Sequence, residues 1–161
     1  MKKILAILAI FSSLIYAQST VEVDGTSTLH NWKMVSHDIK VDMNQTDGKF
    51  TKLVVTFAAK SLKSGDEGLD NTAYKAMKAD VHKIVSFSLI KQNDDGTLYG
   101  AFISNNQEKK ETIKPDVIEN GHVSGSFKVK MTDFGIKPPT FLFGAMSAGD
   151  ELTIKYDIKK P

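Results

Sequence analysis

The sequence contains no cysteine and no arginine, and it has only one tryptophan and four prolines. Without cysteine the chain cannot form disulfides, a thiolate nucleophile or a cysteine-ligated metal site, so its stability has to come from an apolar core. Without arginine it has no planar guanidinium for bidentate recognition of guanine or phosphate. Because the formal net charge is only +2, we expect no nucleic-acid partner.

The first residues are typical of a secretory signal peptide. Two lysines give a basic start, apolar residues follow up to Ile15, and Ala17 precedes the polar Gln18. The apolar run is too short for a membrane-spanning helix, and no cysteine is present to carry a lipoprotein anchor. We therefore predict a signal peptide over residues 1–17 and a mature domain over 18–161, periplasmic or secreted in a bacterium, with no integral membrane span. A buried N-terminal helix or strand is the alternative.

Alternation of apolar and polar residues predicts seven or eight β-strands joined by short turns. The predicted strands cover residues 18–24, 29–43, 50–59, 84–91, 97–104, 111–118, 123–131 and 152–158. The apolar parity changes between Met34 and Val35, which predicts a bulge or bend. Pro115 cannot donate to a central ladder, so its strand should lie at an edge or a bulge.

One segment has a helical rather than an alternating period. Apolar residues recur at i, i+4, i+7 and i+8 from Leu69 to Met77, and Asp70 is in position to cap a helix over residues 69–80. Strands that follow one another without intervening helices form antiparallel sheets. One short helix cannot cover the apolar face of so many strands, so the sheet has to close into a barrel or fold into a sandwich.

The sequence patterns of common catalytic and metal sites are missing. There is no Gly-x-Ser-x-Gly nucleophile elbow, no glycine-rich phosphate loop and no dinucleotide fingerprint. The four histidines, His30, His37, His82 and His122, do not have the spacing of a metal site on one helix. We therefore predict a protein that is not an enzyme, with no catalytic residues, no metal and no cofactor.

Three blocks of sequence together resemble one known family. They are GTSTLHNW at residues 25–32, GLDNTAYKAMKAD at 68–80, and MTDFGIKPP at 131–139 followed by AGDELTI at 148–154. In this order and spacing they resemble the YceI-like family of bacterial secreted proteins, across essentially the whole predicted mature domain. The resemblance implies an all-β fold, a lipocalin-like up-and-down antiparallel eight-stranded β-barrel with one short α-helix. It also implies a protein that binds polyisoprenoids or other long amphiphilic lipids.

The predicted ligand site is the interior of this barrel, with the helix and the apolar linker over residues 134–146 as lids. Inward residues assigned from strand parity, together with apolar side chains of the lids, make up the site. These ligand-binding candidates are Leu53, Val55, Phe57, Tyr74, Met77, Phe87, Leu89, Phe102, Gly125, Phe127, Val129, Phe134, Phe143, Ile154 and Tyr156. Ala59, Gly100 and Gly125 are small inward residues that would leave room for a long-chain lipid or polyisoprenoid.

Parity alone does not decide between a cavity and a filled barrel, because small inward residues also fit the taper of a barrel. The resemblance favours the cavity. The alternative is a structural or interaction module that docks a protein partner through residues 134–146. Trp32 is predicted to be a structural plug, and a homodimer is left open. Candidates for holding an anionic head group are Lys60, Lys63, Lys75 and Lys137.

Overall fold

The computed structural model describes residues 18–161, so the predicted signal peptide over residues 1–17 lies outside the described residues. The strands are β1 (Thr20–Gly25), β2 (Trp32–Ser36), β3 (Lys40–Thr46), β4 (Lys49–Ala58), β5 (Ile84–Gln92), β6 (Leu98–Ser104), β7 (Gln107–Ile113), β8 (Val117–Glu119), β9 (His122–Lys130), β10 (Thr140–Phe141), β11 (Met146–Ser147) and β12 (Glu151–Lys159). The described part has one α-helix, α1 (Glu67–Ala76), and 3₁₀ turns at Ala59–Ser61, Met131–Phe134 and Leu142–Gly144. The predicted all-β class with a single short helix is confirmed.

The strands form two five-stranded antiparallel sheets and one two-stranded hairpin. The first sheet has the order β2-β1-β12-β9-β8, the second has the order β3-β4-β5-β6-β7, and the hairpin joins β10 to β11. Most neighbouring strands are consecutive in the chain, and β12 returns beside β1. This is the strand order of an up-and-down barrel. The hydrogen-bonded ladder is not continuous around it, however, because it stops between β2 and β3 and again between β7 and β8.

Both interruptions are corners at which one run of chain passes from one sheet to the other. β2 ends at Ser36 and β3 begins at Lys40, close to the predicted bend. β7 ends at Ile113 and β8 begins at Val117, with Pro115 between them. The ladder is interrupted here because proline has no N–H to donate to it. When each bent run is counted as one strand and the separate β10–β11 hairpin is left out, eight strands surround the core.

Helix α1 begins earlier than the sequence pattern predicted. Its N-cap is Asp66, whose extended backbone places a carboxylate oxygen 2.9 Å from the Leu69 N–H that donates to it. The predicted N-cap at Asp70 is therefore wrong. Asp70 lies inside the helix, is buried, and accepts hydrogen bonds from the N–H and hydroxyl of Ser64 at 2.8 and 2.7 Å. The helix ends at Ala76, before the predicted end at residue 80.

Apolar side chains from both sheets form one core. Its most deeply buried members include Leu98, Val123 and Ile158, which come from both sheets. A second cluster forms around Met131, Phe134 and other residues that follow β9, so the apolar linker begins as a core element. Within residues 18–161, no helix is both long and apolar enough to cross a bilayer.

Candidate functional site: an apolar cavity between the sheets

A cavity of about 620 Å³ lies between the two sheets and opens toward α1. Its volume falls in the range of roughly 300–1,000 Å³ that is usual for small-molecule sites. Side chains from both sheets line it, and nearly all of them are apolar. Val23, Phe102 and Ile154 are only partly buried although they point into the core. The space that they face is therefore open and is not filled by neighbouring side chains.

A row of aromatic rings forms one wall of the cavity and crosses from one sheet to the other. The ring centroids of Phe87 and Phe102 are 4.7 Å apart, and those of Phe102 and Phe127 are 4.8 Å apart. Tyr156 continues the row at 6.0 Å from Phe127. Tilted aromatic pairs at these distances attract each other, so the rings hold one another in position. A ligand lying along this wall would contact carbon atoms over most of its length.

The mouth of the cavity lies between α1 and two loops. The inner face of α1 contributes Leu69, Ala73 and Ala76, and its C-cap contributes Met77. The opposite side is formed by Pro139, Phe141 and Met146. The polar lining side chains at this end of the strands belong to Ser27, His30, Asp66, Thr72, Ser86 and Ser104. The site is therefore a mainly apolar tube, and apart from the Tyr156 hydroxyl its polar side chains lie toward the open end.

Tyr74 fixes the helix over the mouth and does not line the cavity. Its hydroxyl donates to the carbonyl of Leu62 at 2.6 Å and also lies 3.0 Å from the carbonyl of Lys60, which can share the same proton. The ammonium of Lys63 lies 5.2 Å from the Tyr74 ring centroid. With the hydrogen bonds from Ser64 to Asp70, these contacts tie α1 to the segment that follows β4. The helix is thus a fixed part of the mouth.

The hydroxyl of Tyr156 is the most unusual polar group in the wall. It is buried, and it has no hydrogen-bond partner among the described residues. Burial raises the pKa of this hydroxyl well above its ordinary value of 10.0, and the nearby carboxylate of Asp116 raises that pKa further. The hydroxyl therefore stays neutral at physiological pH and adds no charge to the cavity.

The small inward residues do not leave the room that the sequence suggested. A Cβ atom on Gly100 would lie 2.2 Å from the ring of Phe87, and one on Gly125 would lie 2.8 Å from the Tyr156 hydroxyl. Ala59 is fully buried in a 3₁₀ turn and is not part of the cavity lining. The space above both glycines is occupied by aromatic rings from neighbouring strands. The open volume of the cavity therefore does not come from these glycines.

Trp32 covers a third glycine in the same way and also lines the cavity. A Cβ on Gly25 would lie 2.1 Å from the indole, and the indole N–H donates to the carbonyl of Thr26 at 3.0 Å. Trp32 also packs against both core clusters. It is thus a fixed part of the wall at the end of the cavity beside the mouth.

The structure brings most of the predicted ligand-binding residues into one cavity. Those in its lining are Leu53, Val55, Phe57, Met77, Phe87, Phe102, Phe127, Val129, Phe134, Ile154 and Tyr156. Four are placed elsewhere. Tyr74 faces the segment after β4, Leu89 packs against the core beside the cavity, and Gly125 lies beneath Tyr156. Phe143 is fully exposed, because residues 142–144 form a turn at the hairpin tip.

Several lining residues were missed at the sequence level. Val21 and Val23 of β1, Met34 of β2 and Ile136 after the Met131–Phe134 turn all line the cavity. The parity of β1 already pointed to the two valines, which alternate with Glu22 and Asp24. Ile136 lies in an irregular segment, where no period indicates the direction of a side chain.

The sequence matches one known family over most of its length. A family model described as the YceI-like domain matches residues 13–160. The chain belongs to the YceI-like family. The match spans nearly all of the described residues, so the resemblance carried by the three sequence blocks is confirmed. No curated protein matches the chain in sequence.

Solved structures share the fold of this YceI-like chain at low sequence identity. BcnA from Burkholderia cenocepacia has a TM-score of 0.74 at 14% identity, covering 87% of this chain and 94% of that one. A polyisoprenoid binding domain from Saccharophagus degradans has a TM-score of 0.65 at 6% identity, covering 89% and 94%. The YCEI protein of Campylobacter jejuni has a TM-score of 0.60 at 18% identity, covering 77% and 82%. At such identities the likeness establishes the fold.

Proposed function

We propose that this YceI-like protein binds a long apolar molecule, a polyisoprenoid- or fatty-acyl-like lipid, in the cavity between its sheets. The observation that carries the proposal is the apolar volume of about 620 Å³ that remains open inside a folded core. Each methylene transferred from water into such a space contributes roughly 0.8 kcal/mol. The mechanism is sequestration, in which the chain of the ligand lies along the aromatic row and its polar end stays at the mouth.

The relatives support this class of ligand. The domain from Saccharophagus degradans that shares the fold is a polyisoprenoid binding domain, and the family match covers the strands and helix that enclose the cavity. The predicted signal peptide supports a periplasmic or secreted location. A lipid carrier in an aqueous compartment has to shield its ligand from water, which the enclosed cavity would do.

Binding without catalysis fits the chemistry of the cavity wall. An isomerase or hydrolase would need polar groups that hydrogen-bond to each other deep in the cavity. The deep hydroxyl of Tyr156 has no hydrogen-bond partner within residues 18–161. Its raised pKa makes it a poor general base near neutral pH. We therefore propose that the protein holds its ligand and does not transform it.

Replacement of Ala73 by phenylalanine is expected to weaken binding of geranylgeraniol, a C20 polyisoprenoid alcohol, by about fiftyfold. Ala73 lines the mouth, and a ring there would displace about three methylenes of a bound chain, each of which contributes about 0.8 kcal/mol. Binding would be measured by the fluorescence of Trp32, which lies in the wall, and by native mass spectrometry of the loaded protein.

Asn71→Phe is the matched control, because it adds the same ring to the exposed face of α1. We expect it to bind geranylgeraniol as the wild type does. Equal affinities for the Ala73→Phe and wild-type proteins would place the ligand outside the cavity. An apo mass that persists after incubation with both geranylgeraniol and palmitate would contradict the proposed function.

A further inference from the structure

Two large apolar side chains protrude into solvent at the open end of the cavity. Phe143 is fully exposed, and Leu29 is 70% exposed. Phe143 has a φ of +56°, a region that bulky residues rarely adopt, and Gly144 follows with a φ of +87°. This backbone turns the ring of Phe143 away from the protein. The proposed ligand site does not use either side chain, so their exposure calls for another explanation.

The two side chains lie on loops that are hydrogen-bonded to each other. The N–H of Thr28 donates to the carbonyl of Ser147 at 3.1 Å, and the N–H of Ser147 donates to the Thr28 hydroxyl at 3.3 Å. Ser27 and Ala148 form a β-bridge beside these bonds. The loop between β1 and β2 and the β10–β11 hairpin therefore form one unit, with an apolar side chain at the tip of each loop.

Both loops also contribute to the mouth of the cavity. Ser27 and His30 on either side of Leu29 line it, and so do Phe141 and Met146 on either side of Phe143. Each loop thus faces the cavity with its flanks and solvent with its tip. We call Leu29 and Phe143, together with these flanking residues, the mouth rim.

Positive charge lies beside the mouth, where α1 approaches the segment that precedes β10. Lys75 near the end of α1 and Lys137 before β10 are exposed, and both line a shallow depression between those elements. Within the described part of the chain, neither ammonium is paired with a carboxylate, whereas Lys60 is paired with Asp80. The acidic residues Asp66 and Glu67 lie at the opposite end of α1, where Asp66 lines the mouth of the cavity. The lysine end is thus free to meet an anionic surface.

We propose that the mouth rim docks on the surface of a lipid bilayer, with Leu29 and Phe143 inserted among the lipids and Lys75 and Lys137 facing anionic head groups. Apolar side chains that enter the interface and lysines that face anionic lipids each strengthen the binding of a protein to a bilayer surface. The inference rests on the proposed function, because docking in this orientation presses the cavity mouth against the source of its ligand. A lipid then enters the cavity without crossing water.

Flotation with vesicles of phosphatidylethanolamine and phosphatidylglycerol tests the proposal. We expect the wild type to float with them, Leu29→Ser and Phe143→Ser each to lower the partition coefficient about fivefold, and the double variant to lower it by about the product. Ile90→Ser is the matched control, because Ile90 is 52% exposed on β5 and outside the rim. It should float as the wild type does.

The contribution of the two lysines to vesicle binding can be measured separately from that of the apolar side chains. Lys75→Gln and Lys137→Gln should each lower partitioning onto these anionic vesicles about fivefold, and they should leave partitioning onto phosphatidylcholine vesicles unchanged. A wild type that fails to float, or a double rim variant that floats as well as Ile90→Ser, would overturn the docking proposal.

Binding of geranylgeraniol in vesicle-free solution separates this inference from the proposed function. The rim variants should keep that binding, since neither Leu29 nor Phe143 lines the cavity. Rim-dependent flotation of a protein that binds no geranylgeraniol or palmitate would leave docking intact and contradict the proposed function. Binding of geranylgeraniol without flotation would do the reverse.

Discussion

Replacement of Gly100 by alanine is expected to lower the free energy of unfolding by about 2–3 kcal/mol. The added Cβ would lie 2.2 Å and 2.4 Å from two ring carbons of Phe87 and 2.9 Å from the carbonyl oxygen of Ser88. The first two contacts require the ring to move, and the third requires a shift of the neighbouring strand. Urea unfolding of the wild type and the variant measures the difference.

The ring of Phe87 cannot move aside without cost. It is buried, and its centroid lies 4.7 Å from that of Phe102. The open space available to the ring is the cavity itself, so relief of the clash would narrow the ligand site. We therefore expect Gly100→Ala to lose geranylgeraniol affinity as well as stability.

A double-mutant cycle with Phe87→Leu identifies the cause. The leucine side chain vacates the space above Gly100, so the two substitutions together should cost at least about 1 kcal/mol less than the sum of their separate costs. Additive losses would mean that the Ser88 carbonyl, and not the ring, opposes the new methyl group. A Gly100→Ala protein as stable as the wild type would show that the ring does not rest on this glycine.

The covered glycines show what strand parity can and cannot predict. Parity correctly placed Gly100 and Gly125 on the inner face, but the conclusion that they leave room was wrong. Gly125 is directly paired with Tyr156, and Gly100 is diagonal to Phe87, which pairs with Phe102. Side chains interact with such cross-strand neighbours. The space above a glycine therefore depends on register, and register is absent from the pattern of a single strand.

The sequence pattern predicts one corner of the fold correctly but does not identify a polar edge strand. The corner near Pro115 was predictable because proline lacks an N–H. The predicted strands end at residue 104 and resume at residue 111, although Gln107–Ile113 is the edge strand β7. Inside that strand, the half-buried Lys109 binds the carboxylate of Asp133 at 2.6 Å. The ion pair with Asp133, which is distant in sequence, compensates the charge of Lys109 inside the strand. The alternation of apolar and polar residues gives no indication of such a partner.

The sequence of the linker between residues 134 and 146 does not indicate which of its apolar residues are buried and which are exposed. Phe134 and Phe143 are both phenylalanines followed directly by a glycine in the sequence. Phe134 is nevertheless buried, whereas Phe143 is fully exposed. The burial of Phe134 is reinforced by Asn105, whose side-chain amide donates to the Phe134 carbonyl at 3.0 Å. Tertiary contacts of this kind separate a residue of the cavity wall from a residue of the mouth rim.

Replacement of Tyr156 by phenylalanine is expected to make the protein more stable, and the gain should grow at alkaline pH. At neutral pH we expect about 1 kcal/mol, because the substitution removes a buried hydroxyl that has no partner within residues 18–161. The variant should also accept Gly125→Ala more easily, since the Cβ of that alanine would lie 2.8 Å from the hydroxyl oxygen.

The alkaline effect follows from the raised pKa of Tyr156. Below its ordinary value of 10.0, both the folded and the unfolded protein keep the phenol proton, so this group adds no pH dependence. Above that value the unfolded chain loses the proton while the folded protein retains it. The free energy of unfolding then falls by about 1.4 kcal/mol per pH unit until the folded pKa is passed.

The measured quantity is the difference in unfolding free energy between the Tyr156→Phe and wild-type proteins as a function of pH. Other titrating groups are common to the two proteins and cancel. We expect a difference of about 1 kcal/mol that is constant up to pH 10 and rises above it. A difference that stays flat through that range would mean that the folded pKa is not raised. A variant less stable than the wild type at neutral pH would mean that the hydroxyl has a hydrogen-bond partner in solution, and the deep end of the cavity would then be a polar site for the ligand.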